Sequence, residues 1–150
     1  MKFRKANLSD LSAIIEMIAD DELGKTREDF RTPLPKFYID AFHIIDNDEN
    51  QEIIVVENQN KEIIGTLQLT YIQYLNRKAS LRAQIETVRV RSDQRGNGVG
   101  KKMMQYAIDR AKERKAYLIQ LTTDKKRPKA LKFYESLGFV SSHQGMKLHL

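Results

Sequence analysis

The sequence predicts an α/β sandwich, a mixed sheet flanked by helices, and three observations carry that prediction. Runs with helical spacing and runs rich in β-branched residues interleave along the 150 residues. Two strand-like runs, QEIIVVEN (51–58) and KEIIGTLQLTYIQYL (61–75), flank a short polar stretch, the pattern of a β-hairpin. A glycine-rich stretch, QRGNGVGKKMM (94–104), joins a strand-like run directly to a helix-like one.

Taken in order, MKFRKA (1–6) alternates weakly and reads as a first strand. In the next run Leu8, Leu11, Ile14, Ile15 and Ile18 fall at helical spacing, with Asn7 or Ser9 to cap the start and Gly24 to end it. Residues 25–35 are polar and proline-bearing, hence a loop, and KFYIDAFHIID (36–46) is a second helix. After the hairpin, ASLRAQIETVRV (79–90) is another strand. From Val99 to Arg114 the apolar positions Val99, Met103, Met104, Ala107, Ile108 and Ala111 form one helical stripe. AYLIQLTT (116–123) is a short apolar strand of the kind buried on both faces. RPKALKFYESLGF (127–139) is a helix with Pro128 near its start and Gly138 just past its end. MKLHL (146–150) closes the series as a strand. The order β-α-α-β-β-β-α-β-α-β fits one domain over residues 1–150.

Composition narrows the function classes. With no cysteine, disulfides and thiolate zinc sites are excluded, which suits a reducing cytoplasm. His43, His143 and His149 lack metal-ligand spacing, so no metal is expected. No apolar run has the roughly 20 residues of a membrane span, and the first residues lack the apolar stretch of a signal peptide. The formal charge of +6 can attract an anionic cofactor, a membrane or nucleic acid. Its basic residues are spread along the chain, without a helix-turn-helix signature or a basic stripe with interleaved aromatics, so nucleic acid is an unlikely partner.

The glycine stretch carries the chemistry. Glycines admit left-handed backbone angles and let a ligand approach the main chain. The first N–H groups of a helix have no partner within it and sit at the positive end of its dipole, which makes an anion site. Lys101 and Lys102 add charge. The P-loop pattern fails, because Arg95 stands where its first glycine belongs and Lys102 where Ser or Thr belongs. The dinucleotide pattern fails too, since its third glycine position is Lys101. What fits is R-x-x-G-x-G, at Arg95, Gly98 and Gly100. The alternative is a plain glycine turn that caps a helix.

On these residues the sequence resembles the GNAT superfamily of acyl-CoA-dependent N-acyltransferases. VRVRSDQRGNGVGKKMM (88–104) is similar to its cofactor motif, and ALKFYESLGF (130–139) is similar to its A-x-x-F-Y-x-x-x-G-F block. The resemblance implies a mostly antiparallel sheet whose central strands splay, and transfer of an acetyl group from acetyl-CoA to a small-molecule or peptide amine by direct attack in a ternary complex. It implies that Gln94, Arg95, Gly96, Asn97, Gly98, Val99, Gly100 and Lys101 hold the coenzyme A pyrophosphate. Val88, Arg89 and Val90 would pair with the pantetheine amides, and a main-chain N–H there would hold the thioester oxygen. Tyr134 matches the tyrosine beside the coenzyme sulfur and would protonate the departing thiolate; its alternative role is packing with Ala130, Phe133 and Leu137. Phe133 is core plus cofactor contact. Arg127 stands where many relatives carry Asn and can reach a phosphate or a pantetheine carbonyl, and Lys125, Lys126 and Lys129 can meet the 3′-phosphate.

An amine must lose a proton before it attacks, and a carboxylate can take it. Glu86 is the candidate base. Period-two spacing puts it on the face of Val88 and Val90 unless a bulge intervenes; its alternative role is an ion pair with Arg82 or Arg89. By the resemblance, the acceptor lies among residues 20–42 and 71–74. Asp20, Asp21 and Glu22 there can hold a cation or simply end a helix, and at most one of Tyr71 and Tyr74 faces a pocket. A homodimer is compatible, because the apolar run 63–72 offers an edge to pair. The rival reading is a non-catalytic acyl-CoA-sensing protein, regulatory or associated with nucleic acid.

Overall fold

The computed structural model describes residues 1–21 and 24–150. Two compact units divide it, 1–120 and 121–150.

The first unit is built on a sheet of order β1-β2-β3-β4-β5, where β1 is Lys2–Lys5, β2 Gln51–Glu57, β3 Ile63–Gln73, β4 Leu81–Val90 and β5 Leu118–Leu121. Neighbours from β1 to β4 pair antiparallel. At the far edge, Tyr117 N–H donates to the Leu81 carbonyl (2.7 Å) and the Gln120 amide to the Gln84 side-chain oxygen (2.8 Å). Both bonds advance in the same direction, so β4 and β5 run parallel. The sheet is therefore mixed and mostly antiparallel, as predicted. β5 is short, and β4 continues beyond it to Val90.

Each face carries its own helices. Val55 packs with Ile14 and Ile15 of α1 (Leu11–Ala19) and with Phe42 of α2 (Lys36–Asp46). On the opposite face Phe3 stacks on Tyr106 of α3 (Val99–Glu113) at 4.9 Å between ring centroids, and Glu52 pairs with Arg110 at 2.6 Å. The predicted α3 stripe is the buried one: Val99, Met103, Met104, Ala107 and Ala111 all face inward, at roughly 1.5–3 kcal/mol for each large side chain.

The entry to α1 is fixed by reciprocal bonds. The Asn7 side chain accepts from Ser9 N–H, and the Asp10 carboxylate accepts from Asn7 N–H. Arg4 of β1 then donates to Asp10 (2.6 Å) and to Glu57 of β2 (2.5 Å), and holds the Asp10 carboxyl below its ordinary range. Leu8, expected on the apolar face, lies in the preceding turn and is exposed.

Three expectations are corrected. Gly24 does not end α1, which stops at Ala19. Asp21 instead accepts the Gly24 N–H, and Gly24 packs so tightly that a Cβ would sit 2.0 Å from the Ile18 carbonyl oxygen. β5 is half-buried rather than fully buried. MKLHL is not a strand: residues 139–150 form neither helix nor strand, and Met146, Leu148 and Leu150 are exposed. An alternating pattern becomes a strand only where a ladder partner exists, and this segment has none among the described residues.

The second unit is organised by α4, Pro128–Glu135. Its start and stop are those read from the sequence. The Arg127 carbonyl accepts from Ala130 and Leu131, Pro128 occupies the first turn, and Gly138 adopts φ +89° just past the end.

One contact sets how closely α3 approaches the sheet. A Cβ at Gly65 would lie 2.7 Å from the Met103 sulfur and 3.3 Å from the Arg89 carbonyl oxygen. Gly65→Val is therefore expected to cost about 1–3 kcal/mol, read as a lower urea midpoint at unchanged slope. A wild-type midpoint would show that Met103 moves aside without cost.

Candidate active site

The site begins at an irregularity in β4. Thr66 pairs with Arg89 and Gln68 with Glu86, so two β4 residues, Thr87 and Val88, stand opposite Leu67. This is a β-bulge, and Thr87 carries it at φ +55°, a left-handed angle that a β-branched residue rarely adopts. Such strain costs about 1–3 kcal/mol.

The bulge corrects the expected geometry. Glu86 does not share a face with Val90. It shares one with Arg89 and Gln84, on the side that carries α1 and α2, whereas Val90, opposite Gly65, lies on the α3 side. Glu86 is ion-paired with neither Arg82 nor Arg89 among the described residues. Its Oε1 accepts from the Gln84 amide at 2.8 Å, and the residue is exposed. Arg89 pairs instead with Asp21 beyond the end of α1 (3.8 Å), and Arg82 lies over the Tyr74 ring at 4.2 Å.

From Val90 the chain enters the glycine turn, whose approach is pinned. Arg91 donates to Asp93 at 2.7 and 2.9 Å, which pulls the Asp93 carboxyl down to about 2, and it also reaches Glu62 at 3.5 Å. The Arg95 guanidinium folds back onto the Val90 carbonyl at 3.1 Å. Gly96 and Gly98 then take φ of +82° and +76°, so glycine is required at both. Gly98 is the N-cap of α3, and the first bond into the helix is Lys102 N–H to the Gly98 carbonyl.

Ahead of that bond the backbone donors stand open. Among the described residues no N–H from Gly96 to Lys101 donates to a protein acceptor. A Cβ added at Gly96 or Gly98 would meet nothing within 4 Å, so both positions border open space. Consecutive donors at a helix N-terminus, with Lys101 and Lys102 exposed beside them, suit a diphosphate. The residues present thus fit the coenzyme expected there.

The other predicted residues are placed as follows. Gln94 ends the 3-10 turn before the glycines and donates to Asp93. Asn97 is exposed, Val99 is buried under the turn, and Gly100 is in the first turn of α3. In the second unit Tyr134 packs edge-on against Phe133 (5.3 Å) and Phe139 (6.0 Å), and Arg127 occupies the N-cap of α4.

On the acceptor side, Asp20 caps α1, Asp21 is tied to Arg89, and Glu22 lies outside the described residues. Asp20, Lys25 and Phe30 share a cleft of about 710 Å³ with Glu16, Met17 and Arg91. Tyr71 is on the opposite sheet face, buried beneath Arg114, and burial pushes its phenol up to about 12. Sequence reading missed the device at Thr87, because no glycine marks it. It also missed the donor that holds Glu86, whose only signal was the alternation of Gln84 and Glu86.

No described helix is long and apolar enough to cross a membrane, and no group of three or more acidic or histidine residues is placed to hold a metal among the described residues.

The pattern of the acetyltransferase (GNAT) family matches residues 15–139. A structure described as a transcriptional regulator from Bacillus halodurans is 50% identical, covers 99% of each chain and superposes with a TM-score of 0.96. The aminoalkylphosphonate N-acetyltransferase of Salmonella typhimurium is 25% identical over 95% of this chain and 86% of its own. N-alpha-acetyltransferase 30 of Saccharomyces cerevisiae is 32% identical over 75 residues, 50% of this chain and 43% of that protein's length.

The glycine turn yields a direct test. Gly98→Val places a branched side chain at positive φ, at a backbone cost of about 1–2 kcal/mol, and fills the approach. It is expected to weaken coenzyme A binding at least about tenfold by calorimetry. Unchanged affinity would remove the turn from the binding site.

Proposed function

Because the chain belongs to the acetyltransferase (GNAT) family, as the match over residues 15–139 establishes, we propose that Gln94–Lys101 hold the diphosphate of acetyl-CoA, that Val88, Arg89 and Val90 line its pantetheine arm, and that Glu86 and Tyr134 move the protons. The chain is an N-acetyltransferase, with acetyl-CoA as donor and an amine as acceptor. The observation that carries the assignment of the donor site is the run of open N–H groups from Gly96 to Lys101. The family match crosses the boundary between the two units, which supports a single transferase domain over 1–150. A chain without cysteine suits action in the cytoplasm.

Acetyl-CoA supplies an activated acyl group on a thiol. The amides of the glycine turn fix its phosphates, and the open end of β4, beyond β5, offers backbone partners for its amide-bearing arm. A main-chain N–H at the bulge faces the thioester oxygen and stabilises the charge that develops on it. Glu86, directly or through a water, accepts a proton from the amine as nitrogen attacks. The Tyr134 hydroxyl gives a proton to the departing sulfur, a task open to a phenol and closed to Phe. Phe133 packs beside Tyr134 against the cofactor, and Arg127 meets its polar groups. Because the bulge sends Glu86 to the α1–α2 side, the amine enters from that face; the cleft of Asp20, Lys25 and Phe30 opens beside Arg91, Ser92 and Asp93, at the entry to the glycine turn.

The name of the Bacillus halodurans structure favours a second reading, an acyl-CoA-responsive regulator. Thiol release from acetyl-CoA with four acceptors decides between the two: 2-aminoethylphosphonate, a diamine, a free amino acid and a peptide with a free N-terminus. Turnover with any of them supports the transferase. Tight coenzyme binding without turnover, together with DNA binding that acetyl-CoA alters, supports the regulator.

Within the transferase reading, Glu86→Gln is expected to lower kcat about a hundredfold and flatten the rising limb of the pH–rate profile. Tyr134→Phe should lower kcat about tenfold or more while the Kd for coenzyme A stays within twofold. Full activity in either variant would remove that residue from proton transfer.

A further inference from the structure

A chain of side-chain amides runs along the sheet to the Glu86 carboxylate. Gln120 of β5 donates its Nε2–H to the Gln84 Oε1 at 2.8 Å, and Gln84 donates its Nε2–H to the Glu86 Oε1 at 2.8 Å. Gln84 and Glu86 are two apart on β4 and pair with Thr70 and Gln68 of β3, so they stand on one face. Gln120 reaches Gln84 from the neighbouring strand, at the end where β4 and β5 are still paired.

An amide side chain can present either its donor or its acceptor, and a half-turn about its last bond exchanges them. Beside a carboxylate only the donor end is favourable. The carboxylate thus selects the Gln84 N–H, and Gln120 reinforces that choice, because its own N–H occupies the Gln84 oxygen and opposes the half-turn. Bonds oriented head to tail also polarise one another. Glu86 is exposed and next to a strained bulge residue, so without such a tether its carboxylate samples many rotamers.

We propose that Gln84 and Gln120 are positioning residues for the acceptor half of the reaction: Gln120 sets the orientation of the Gln84 amide, and Gln84 holds the Glu86 carboxylate where the amine arrives. The inference rests on the reading of Glu86 as the base. Neither glutamine touches the reacting atoms.

Two variants keep the side-chain volume nearly constant. Gln84→Leu removes the donor to Glu86. Gln120→Glu exchanges one N–H donor for an acceptor at neutral pH; the carboxylate introduced at position 120 attracts the Gln84 N–H and turns the Gln84 oxygen toward Glu86. The acceptor is the fastest amine of the four-member panel above. Each variant is expected to lower kcat about tenfold, the loss of one hydrogen bond to a charged group, with the KM for acetyl-CoA and for the amine within twofold of wild type. In a Glu86→Gln background, Gln84→Leu should change kcat by less than about twofold, because the partner it positions is gone. Wild-type kcat in Gln84→Leu and Gln120→Glu, alongside a loss in Glu86→Gln, overturns the positioning role and leaves the base in place. A tenfold loss that persists in the Glu86→Gln background also overturns it, since the glutamines then act on something else. A Glu86→Gln variant with wild-type kcat overturns the base reading and this inference together.

Discussion

The extra residue in β4 is the constraint on which the rest of the site depends. Strands alternate their side chains, so one inserted residue exchanges the faces of everything beyond it. Because Thr87 accommodates that insertion at φ +55°, Glu86 and Arg89 come to the side of α1 and α2, while Val90 comes to the side of α3. A regular strand would have put Glu86, Val88 and Val90 in one row. The strained angle is maintained because β4 is paired with β3 on both sides of it, from Gln73–Leu81 to Gly65–Val90.

That exchange divides labour between the faces. On one side α3 lies against the sheet, and the glycine at position 65 lets Met103 sit close to the strand. The N-terminus of α3 thereby stays next to the end of β4, with residues 91–98 as the connection. The turn is pinned at its entrance, through Arg91 with Asp93 and Arg95 with the Val90 carbonyl, and open at its centre, where no N–H from Gly96 to Lys101 has a protein acceptor among the described residues. An anion site built from backbone needs both properties, since a loose loop would lose entropy on binding and a satisfied one would have nothing to give. On the other side Asp21 bonds to Gly24 N–H and pairs with Arg89, which joins the segment after α1 to the bulged strand.

Much of this was legible in the residues, for physical reasons that differ by element. The stripe from Val99 to Ala111 predicted α3 and its buried face, because a helix that covers a sheet must bury one row of side chains. The glycine turn was legible because left-handed backbone angles leave a compositional mark: Gly96 and Gly98 are the positions that adopt them. Where the same angle falls on a residue with a Cβ, the mark is missing. Thr87 looks like an ordinary strand residue, so the bulge, and with it the face of Glu86, could not be read from composition. MKLHL failed in the opposite sense. Its alternation is that of a strand, yet a strand is a property of two segments and its ladder partner is missing among the described residues.

The acceptor is the least legible part because its determinants are not backbone motifs. A diphosphate is a fixed charge of fixed shape, and one run of amides suits it whatever else the chain does. An amine acceptor is recognised by side chains gathered from distant positions, and the cleft proposed for it here joins Asp20, Lys25 and Phe30 with Arg91, at spacings that only the fold brings together. That cleft mixes carboxylates with cations and an aromatic ring, so charge alone does not select its occupant. Under the proposal that Glu86 is the base, selectivity falls to geometry, meaning which amine places its nitrogen against that carboxylate. The proposed positioning of Glu86 by Gln84 and Gln120 bears on that point, because a base held in one rotamer discriminates between acceptors by position, whereas a freely rotating carboxylate serves them all.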